Sequence, residues 1–346
     1  MRRGINIFVT IVTFVIIVVL IVAGCAVLEK GHLFDYLAKH QHVHDPGLDP
    51  DKEDTVEIIR NTEAVIGPFY GATAIHQAVD AAQQGDLLLV YQGTYSHVDD
   101  PISITGLEIT IQGAGRDKVF ITGLDDHQVF IIESATVTIN DVTIIDGRLD
   151  SSGGGGIILA DGAMLRLSYV NGINCKAMNG KGGFIDVYQA NLIMDHCYLY
   201  GNYAKGNGGA VYNHFGSNCR AYDVIYSHNI SDAWGGGMQN EDNGDYEDIN
   251  CVYYRNTAGD RGGALESSAG NYMGYNSIYY QNDAPVASQV AYEEPDEEDV
   301  QIEYSCMPSG NAGCSGESPL FDDEPSNINN NPKFRNAPNE DFRLKE

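Results

Sequence analysis

Basic side chains are scarce in this chain: 20 Lys and Arg stand against 48 Asp and Glu, a formal charge of −28. Phosphate backbones need Lys and Arg to neutralise them, so the charge argues against nucleic acid as a partner. The ten-residue helical periodicity that ankyrin or tetratricopeptide units require is missing from the middle of the chain, which excludes helical repeat arrays. Global disorder is excluded as well, because 43% of the residues are hydrophobic, enough for one large core. Glycine (39 residues) and tyrosine (21) are abundant instead, alongside Asn and Asp. That mixture favours short strands joined by turns.

The strongest signal is internal repetition. Gly-Gly pairs followed by a mostly apolar residue end at Gly156, Gly183, Gly209, Gly237 and Gly263, at spacings of 27, 26, 28 and 26. A second marker, Asn202, Asn229, Asn256 and Asn282, recurs at 27, 27 and 26, with Asn174 one further period upstream. Each Asn follows a strand-like run such as Asp223-Val224-Ile225-Tyr226 or Asn250-Cys251-Val252-Tyr253. A fixed period of this size means a solenoid. A coil of 26 to 28 residues suits three short strands and three turns, stacked as parallel strands about 4.8 Å apart. Glycine allows the left-handed turns, and a stacked Asn column can hydrogen-bond its amides from coil to coil.

On these residues the chain resembles the right-handed parallel β-helices of the pectate-lyase-like superfamily. Its Gly208-Gly209-Ala210 and Gly262-Gly263-Ala264 pairs, with the Asn marker, resemble repeats of polymorphic outer-membrane proteins and adhesin-like secreted β-helices. The resemblance implies an all-β fold, a right-handed, single-stranded parallel β-helix with a short N-terminal capping helix, and dividing its span by the repeat period gives roughly eight coils. Residues 72–84 (ATAIHQAVDAAQQ) supply that helix, with Ile75, Ala78, Val79 and Ala82 on one stripe. Gly85-Asp86, the apolar run Leu87–Val90 and Gly93-Thr94-Tyr95 follow it, similar to the cap and first coil of many such proteins. At the other end Asn331-Pro332-Lys333-Phe334 and Asn339-Glu340-Asp341-Phe342-Arg343-Leu344 resemble the closing motif of secreted β-helices. Asn331 and Glu340 stand there in place of the usual Asp and Gly.

Four segments follow from this reading. Residues 1–25 are an export signal: Arg2 and Arg3, an apolar stretch from Ile7 to Ala23, then Val22-Ala23-Gly24-Cys25, which looks like a bacterial lipobox with Cys25 as the lipidated residue. An uncleaved membrane-spanning helix is the alternative. Residues 26–61 read as a flexible linker; its His40, His42 and His44 are either a metal site or a solvated tether, and no Cys accompanies them. Residues 62–290 are the β-helix. Residues 291–346 are an acidic loop (Glu293–Asp299) and a C-terminal tail packing on it. The expected location is outside the cytoplasm, on a membrane through the N-terminal lipid, at the outer membrane or cell surface if the host is Gram-negative.

The cysteines divide in the same way. Cys197 and Cys251 share a column two coils apart, too far to bridge, and read as small core residues. Cys306 and Cys314 flank a short Pro/Gly/Asn loop and are the pair nominated for a disulfide. Cys175 and Cys219 have no assignment.

Catalytic sets are incomplete. Met194-Asp195-His196 is similar to a lyase triplet with its Trp replaced, but Asp223, Asn250 and Asn276 align with His196, as filler of a repeat position would. Arg255 and His228 share a column in neighbouring coils, about 5 Å apart, a base beside a polarising group or simply solvated surface. Asp242, Asp245 and Glu247 sit on an acidic turn whose oxygens suit calcium, although the EF-hand spacing fails. No other cofactor is required. Tyrosine fills two adjacent columns, Leu199/Tyr226/Tyr253/Tyr279 and Tyr200/Ser227/Tyr254/Tyr280, of which one must face outward. An outward Tyr200, Tyr254 and Tyr280 would stack on sugar rings. The expected function is therefore recognition of a glycan or cell-surface ligand by an adhesin-like envelope lipoprotein, non-catalytic. A lyase acting on uronate glycans and a structural envelope protein are the alternatives.

Overall fold

The structure, a computed structural model, describes residues 48–49, 51–62, 64–96, 100–293, 300–314, 326–336 and 341–344. The lipobox with Cys25, the His40–His44 tether, residues 294–299 of the acidic run and Asn339-Glu340 lie outside the described residues. Those described form an all-β parallel solenoid with a single α-helix.

One coil shows the plan. Asn191–Asp195, Tyr198–Tyr200 and Val211–His214 are its three main strands, with a two-residue strand, Tyr203–Ala204, between the last two. Each pairs in parallel with its equivalent in the next coil: Asn191–Asp195 with Asn218–Tyr222, Tyr198–Tyr200 with Ile225–Ser227, Val211–Asn213 with Met238–Asn240. Stacking produces an 11-stranded sheet (sheet 1), two 8-stranded sheets (sheet 2 through Tyr198–Tyr200, sheet 3 through Val211–His214) and a short five-stranded ladder. The two 8-stranded sheets match the roughly eight coils expected from the period.

Single left-handed residues turn the corners. Between sheets 1 and 2 these are Asp141, Tyr169, His196, Asp223, Asn250 and Asn276, all with φ between 52° and 61°. Between sheet 2 and the short ladder they are Asp146, Asn174, Gly201, His228, Arg255 and Gln281. Asn, Asp and Gly tolerate this conformation best, which is why they hold seven of these twelve corners. The structure corrects two markers by one residue. Cys175, not Asn174, heads the Asn column, its N–H donating to Asn202 Oδ1 at 2.9 Å. The equivalent glycines are Gly155, Gly183, Gly209, Gly236 and Gly263; a Cβ on Gly209 would meet the Gly236 carbonyl at 2.0 Å, so coils pass there backbone on backbone.

The Asn column is a buried spine. Asn202, Asn229 and Asn256 are fully buried, and each donates Nδ2–H to the Oδ1 of the next at 2.9–3.0 Å. That same Oδ1 accepts the backbone N–H of the preceding Asn, and each Nδ2 also reaches a backbone carbonyl. Buried corner groups are thereby satisfied without water. Asn282 ends the series by donating to Gln289 Oε1 at 2.7 Å.

The interior changes character along the axis. Early coils bury Val, Ile and Leu, as at Val137, Ile139, Leu165 and Leu167. Later coils bury Tyr226, Tyr246, Tyr253, Tyr272 and Tyr279 around Asp248, which is fully buried. Alternation along Asp245–Ile249 points Tyr246 and Asp248 inward. Asp248 Oδ2 accepts from Tyr253 (2.7 Å) and Tyr272 (2.8 Å), and Oδ1 from Ser277 (2.6 Å). Burial pushes its carboxyl up to about 6, against these three donors. Gly274 makes the room: a Cβ there would fall 2.5–2.6 Å from the Tyr272 and Tyr279 hydroxyls.

Both ends extend beyond the boundaries drawn from composition. Thr55–Arg60, inside the stretch read as linker, pairs antiparallel with Ala64–Tyr70 and with Leu87–Val90 of sheet 1. Helix α1 (Ala74–Ala81) is shorter than the sequence pattern and buries Ala74, Ile75, Ala78 and Val79 against the first coil. Asp86 of the Gly-Asp signal is anchored by Arg60 at 2.8 Å and accepts the Gln83 N–H, which holds its carboxyl below the ordinary range. Past residue 290, Val300–Glu303 joins sheet 1. Cys306 bridges to Ile278 of sheet 2 and Cys314 to Val290 of sheet 3. The disulfide nominated between these two cysteines is not formed. They lie on different faces of the terminal coil, because the loop between them turns a solenoid corner and does not close a hairpin. Among the described residues the other four cysteines, Cys175, Cys197, Cys219 and Cys251, are buried core thiols, with Val224 lying between Cys197 and Cys251 in their column.

Candidate functional site

The nominated residues fall in three places. Tyr200, Ser227, Tyr254 and Tyr280 do point outward from sheet 2, with Leu199, Tyr226, Tyr253 and Tyr279 inside. The surface at Tyr254 and Tyr280 is nonetheless covered. The C-terminal hairpin (Phe334–Asn336 and Asp341–Leu344) lays Phe342 5.1 Å and Phe334 6.2 Å from the Tyr254 ring, leaving Tyr254 1% exposed. Tyr280 packs edge-on against Phe334 at 5.7 Å and accepts from Asn331. The two halves of the closing motif thus meet as a clasp on the tyrosine column.

Arg255 and His228 flank this column at the left-handed corner. Arg255 lies over Tyr254 at 5.2 Å and bonds Gln281, while His228 bonds Ser227 Oγ at 2.8 Å. No acid joins them in these contacts. His196 sits between Asp195 (2.8 Å) and Asp223 (3.7 Å) and stacks on Tyr169. Burial lowers its imidazolium, but the two carboxylates outweigh that and the net shift is upward. Asn276 donates to Asn250 and Asn250 to Asp223, so hydrogen bonds run along this corner from coil to coil.

The calcium set is not brought together. Asp245 and Glu247 stand along one strand, where Asp245 accepts from Asn271 at 2.6 Å and Glu247 faces Arg220 at 3.4 Å. Asp242 turns the preceding corner and groups with His214 and Glu241 instead. A strand spreads alternate carboxylates where a calcium loop would wrap them.

A richer constellation lies on the outer face of sheet 3. Alternation in Ile185–Tyr188, Val211–His214, Met238–Glu241 and Leu265–Ser268 points Asp186, Tyr188, Tyr212, His214, Gln239, Glu241, Glu266 and Ser268 outward. Beside them the coil-to-coil bonds at the Gly corners align Lys181, Asn207, Trp234 and Arg261 as a wall. Lys181 and Asn207 reach across the row to Glu241, at 3.0 and 3.3 Å. Tyr212 donates its hydroxyl to Glu241, receives Lys181 Nζ at 2.5 Å, and carries that ammonium over its ring at 4.3 Å. Arg261 stacks over Trp234 at 4.8 Å.

Beneath this wall Gln239 and Glu266 are fully buried. Burial pushes the Glu266 carboxyl up to about 8, opposed by bonds from Ser268 and Gln239 and aided by Glu241. At the far rim Tyr188 and Phe215 are 36% and 50% exposed and pack edge-on at 5.2 Å, with His214 against both. The chain matches no known protein family and no curated protein. Its function therefore rests on what these surfaces can do.

Sequence reasoning passed over this face. The signal was available in the tetrads VYNH, MQNE and LESS that follow the glycine markers, once each is read with period 2. Their outward residues differ in every coil, so no column announced itself.

Proposed function

We propose that this chain is an exported, membrane-anchored β-solenoid that recognises carbohydrate along the outer face of sheet 3. The observation that carries the reading is the exposed Tyr188–Phe215 rim beside a continuous row of carboxylate, amide, imidazole and ammonium groups. Aromatic faces stack on the apolar sides of sugar rings, and fixed polar groups pair with hydroxyls. Tyr254 takes no part, since the clasp already covers it. The charge of −28 favours neutral or amino sugars over polyanions. Anchoring rests on the lipobox at Cys25.

Affinity electrophoresis and calorimetry against neutral, amino-sugar and uronate oligosaccharides test the reading. Losing two stacking rings at about 1 kcal/mol each weakens binding by roughly an order of magnitude or more in Tyr188→Ala/Phe215→Ala. Unchanged affinity in that double variant, or no binding to any panel member, refutes it. A second reading, cleavage of a uronate polymer, draws on Lys181 beside the Tyr212 phenol. Unsaturated-product absorbance on incubation with uronate polymers would favour it, and Lys181→Ala would then abolish the signal.

A further inference from the structure

We propose that His214, Glu241 and Asp242 bind one divalent transition-metal ion of zinc's class. Each of the three offers a ligand atom within 4.8 Å of the other two. His214 is 8% exposed, and its Nδ1 is buried with no hydrogen-bond partner. Its Nε2 lies 2.9 Å from Asp186 Oδ1. An ionised carboxylate only accepts, so Nε2 carries the proton and donates it in a hydrogen bond to Asp186, which leaves the lone pair of the neutral imidazole on Nδ1. A carboxylate behind the second ring nitrogen is the usual partner of a metal-bound histidine, because it fixes the tautomer and raises ligand basicity.

The imidazole is also held in orientation. Tyr212 packs at 4.1 Å, Phe215 at 5.0 Å and Tyr188 at 5.3 Å from its centroid. Glu241 is positioned by Tyr212, Asn207, Gln239 and Lys181. Asp242 is exposed at a left-handed corner, where its carboxylate can swing to close the set. One nitrogen and two oxygens suit zinc-class ions, whereas calcium takes oxygen alone. Four donors already fill the lone pairs of Glu241, so an incoming ion must displace one. Lys181 is the one that gives way: its side chain is 41% exposed, and its ammonium holds the place of a cation.

Zinc titration by calorimetry of the full chain tests this, with His40→Ala, His42→Ala and His44→Ala introduced to silence the tether. The expected result is one ion per chain, with affinity falling at least tenfold in both His214→Gln and Asp242→Asn. Asp186→Asn should weaken binding by roughly 10–100-fold, as second-layer partners of metal-bound histidines do. Lys181→Met should tighten it, because a competing charge is gone. Asp242 is exposed, so its variant keeps the fold and keeps the test decisive if His214→Gln misfolds. No zinc binding, binding indifferent to Asp242→Asn, weaker binding in Lys181→Met, or preference for calcium over zinc would each overturn the proposal. The readout is independent of carbohydrate, so its failure and that of the glycan reading are distinguishable.

Discussion

Replacing Asp248 with Asn should remove a pH-dependent loss of stability that the wild-type chain carries. The folded carboxyl titrates near 6, against an ordinary 3.8. The folded state therefore holds its proton where the unfolded state has released it. Stability from this group is fully present below pH 3.8 and falls as pH rises through 3.8 to about 6. Two units correspond to roughly 3 kcal/mol, on the order of 6–12 °C in midpoint for a body of this size. Asn keeps the shape, and the Tyr253, Tyr272 and Ser277 hydroxyls can rotate to meet its amide. Glu266 titrates with the same sign over a higher window, so the quantity to follow is the difference between variant and wild type. Thermal midpoints from pH 3.5 to 7.5 should show Asp248→Asn gaining on the wild type across that window, then holding level. Parallel curves would mean that Asp248 ionises as an exposed acid does, and the buried phenol cluster would be wrong.

Asn229→Leu strips the Asn202 backbone N–H of its acceptor and removes the side-chain bonds to Asn202 Nδ2, Asn256 Oδ1 and the Leu199 carbonyl, at about 1–3 kcal/mol for a buried group left unpaired; the check is a clear drop in thermal midpoint. Tyr254→Ala empties the space under Phe334 and Phe342, costs roughly 3–5 kcal/mol, and should expose the C-terminal hairpin to limited proteolysis while carbohydrate affinity is unchanged. Cys25→Ser should abolish labelling by a clickable fatty acid, and persistent labelling would remove the proposed anchor.

The solenoid was legible because its corners are chemically demanding. Left-handed single residues and a shared amide spine favour Gly, Asn and Asp at those positions, and although Tyr169, His196, His228, Arg255 and Gln281 also stand at corners, repetition makes the preference visible. Errors arose where neighbours are chemically alike. Gly235-Gly236-Gly237 offers three candidates for one corner, and Asn174 precedes the true column member Cys175. Asp248 was hidden for a different reason. It ends the run Glu241–Asp248 that reads as an acidic turn, and only the strand register places it inside. The outer face of sheet 3 escaped because outward positions answer to a ligand or to solvent, not to the coil beneath, and so carry no period.

The amide spine also bears on how long such a molecule can be. Every rung from Asn202 to Asn256 presents the same acceptor to the coil before it and the same donor to the coil after it. Rungs are therefore interchangeable parts: excising or duplicating one 27-residue unit re-forms identical bonds across the junction. Asp248 denies that freedom to the coils of Asn229, Asn256 and Asn282, since its hydroxyl partners come from its own coil and the next, and the phenol chain reaches Tyr226 in the coil before. Length is adjustable on the N-terminal side of that cluster, and fixed across it.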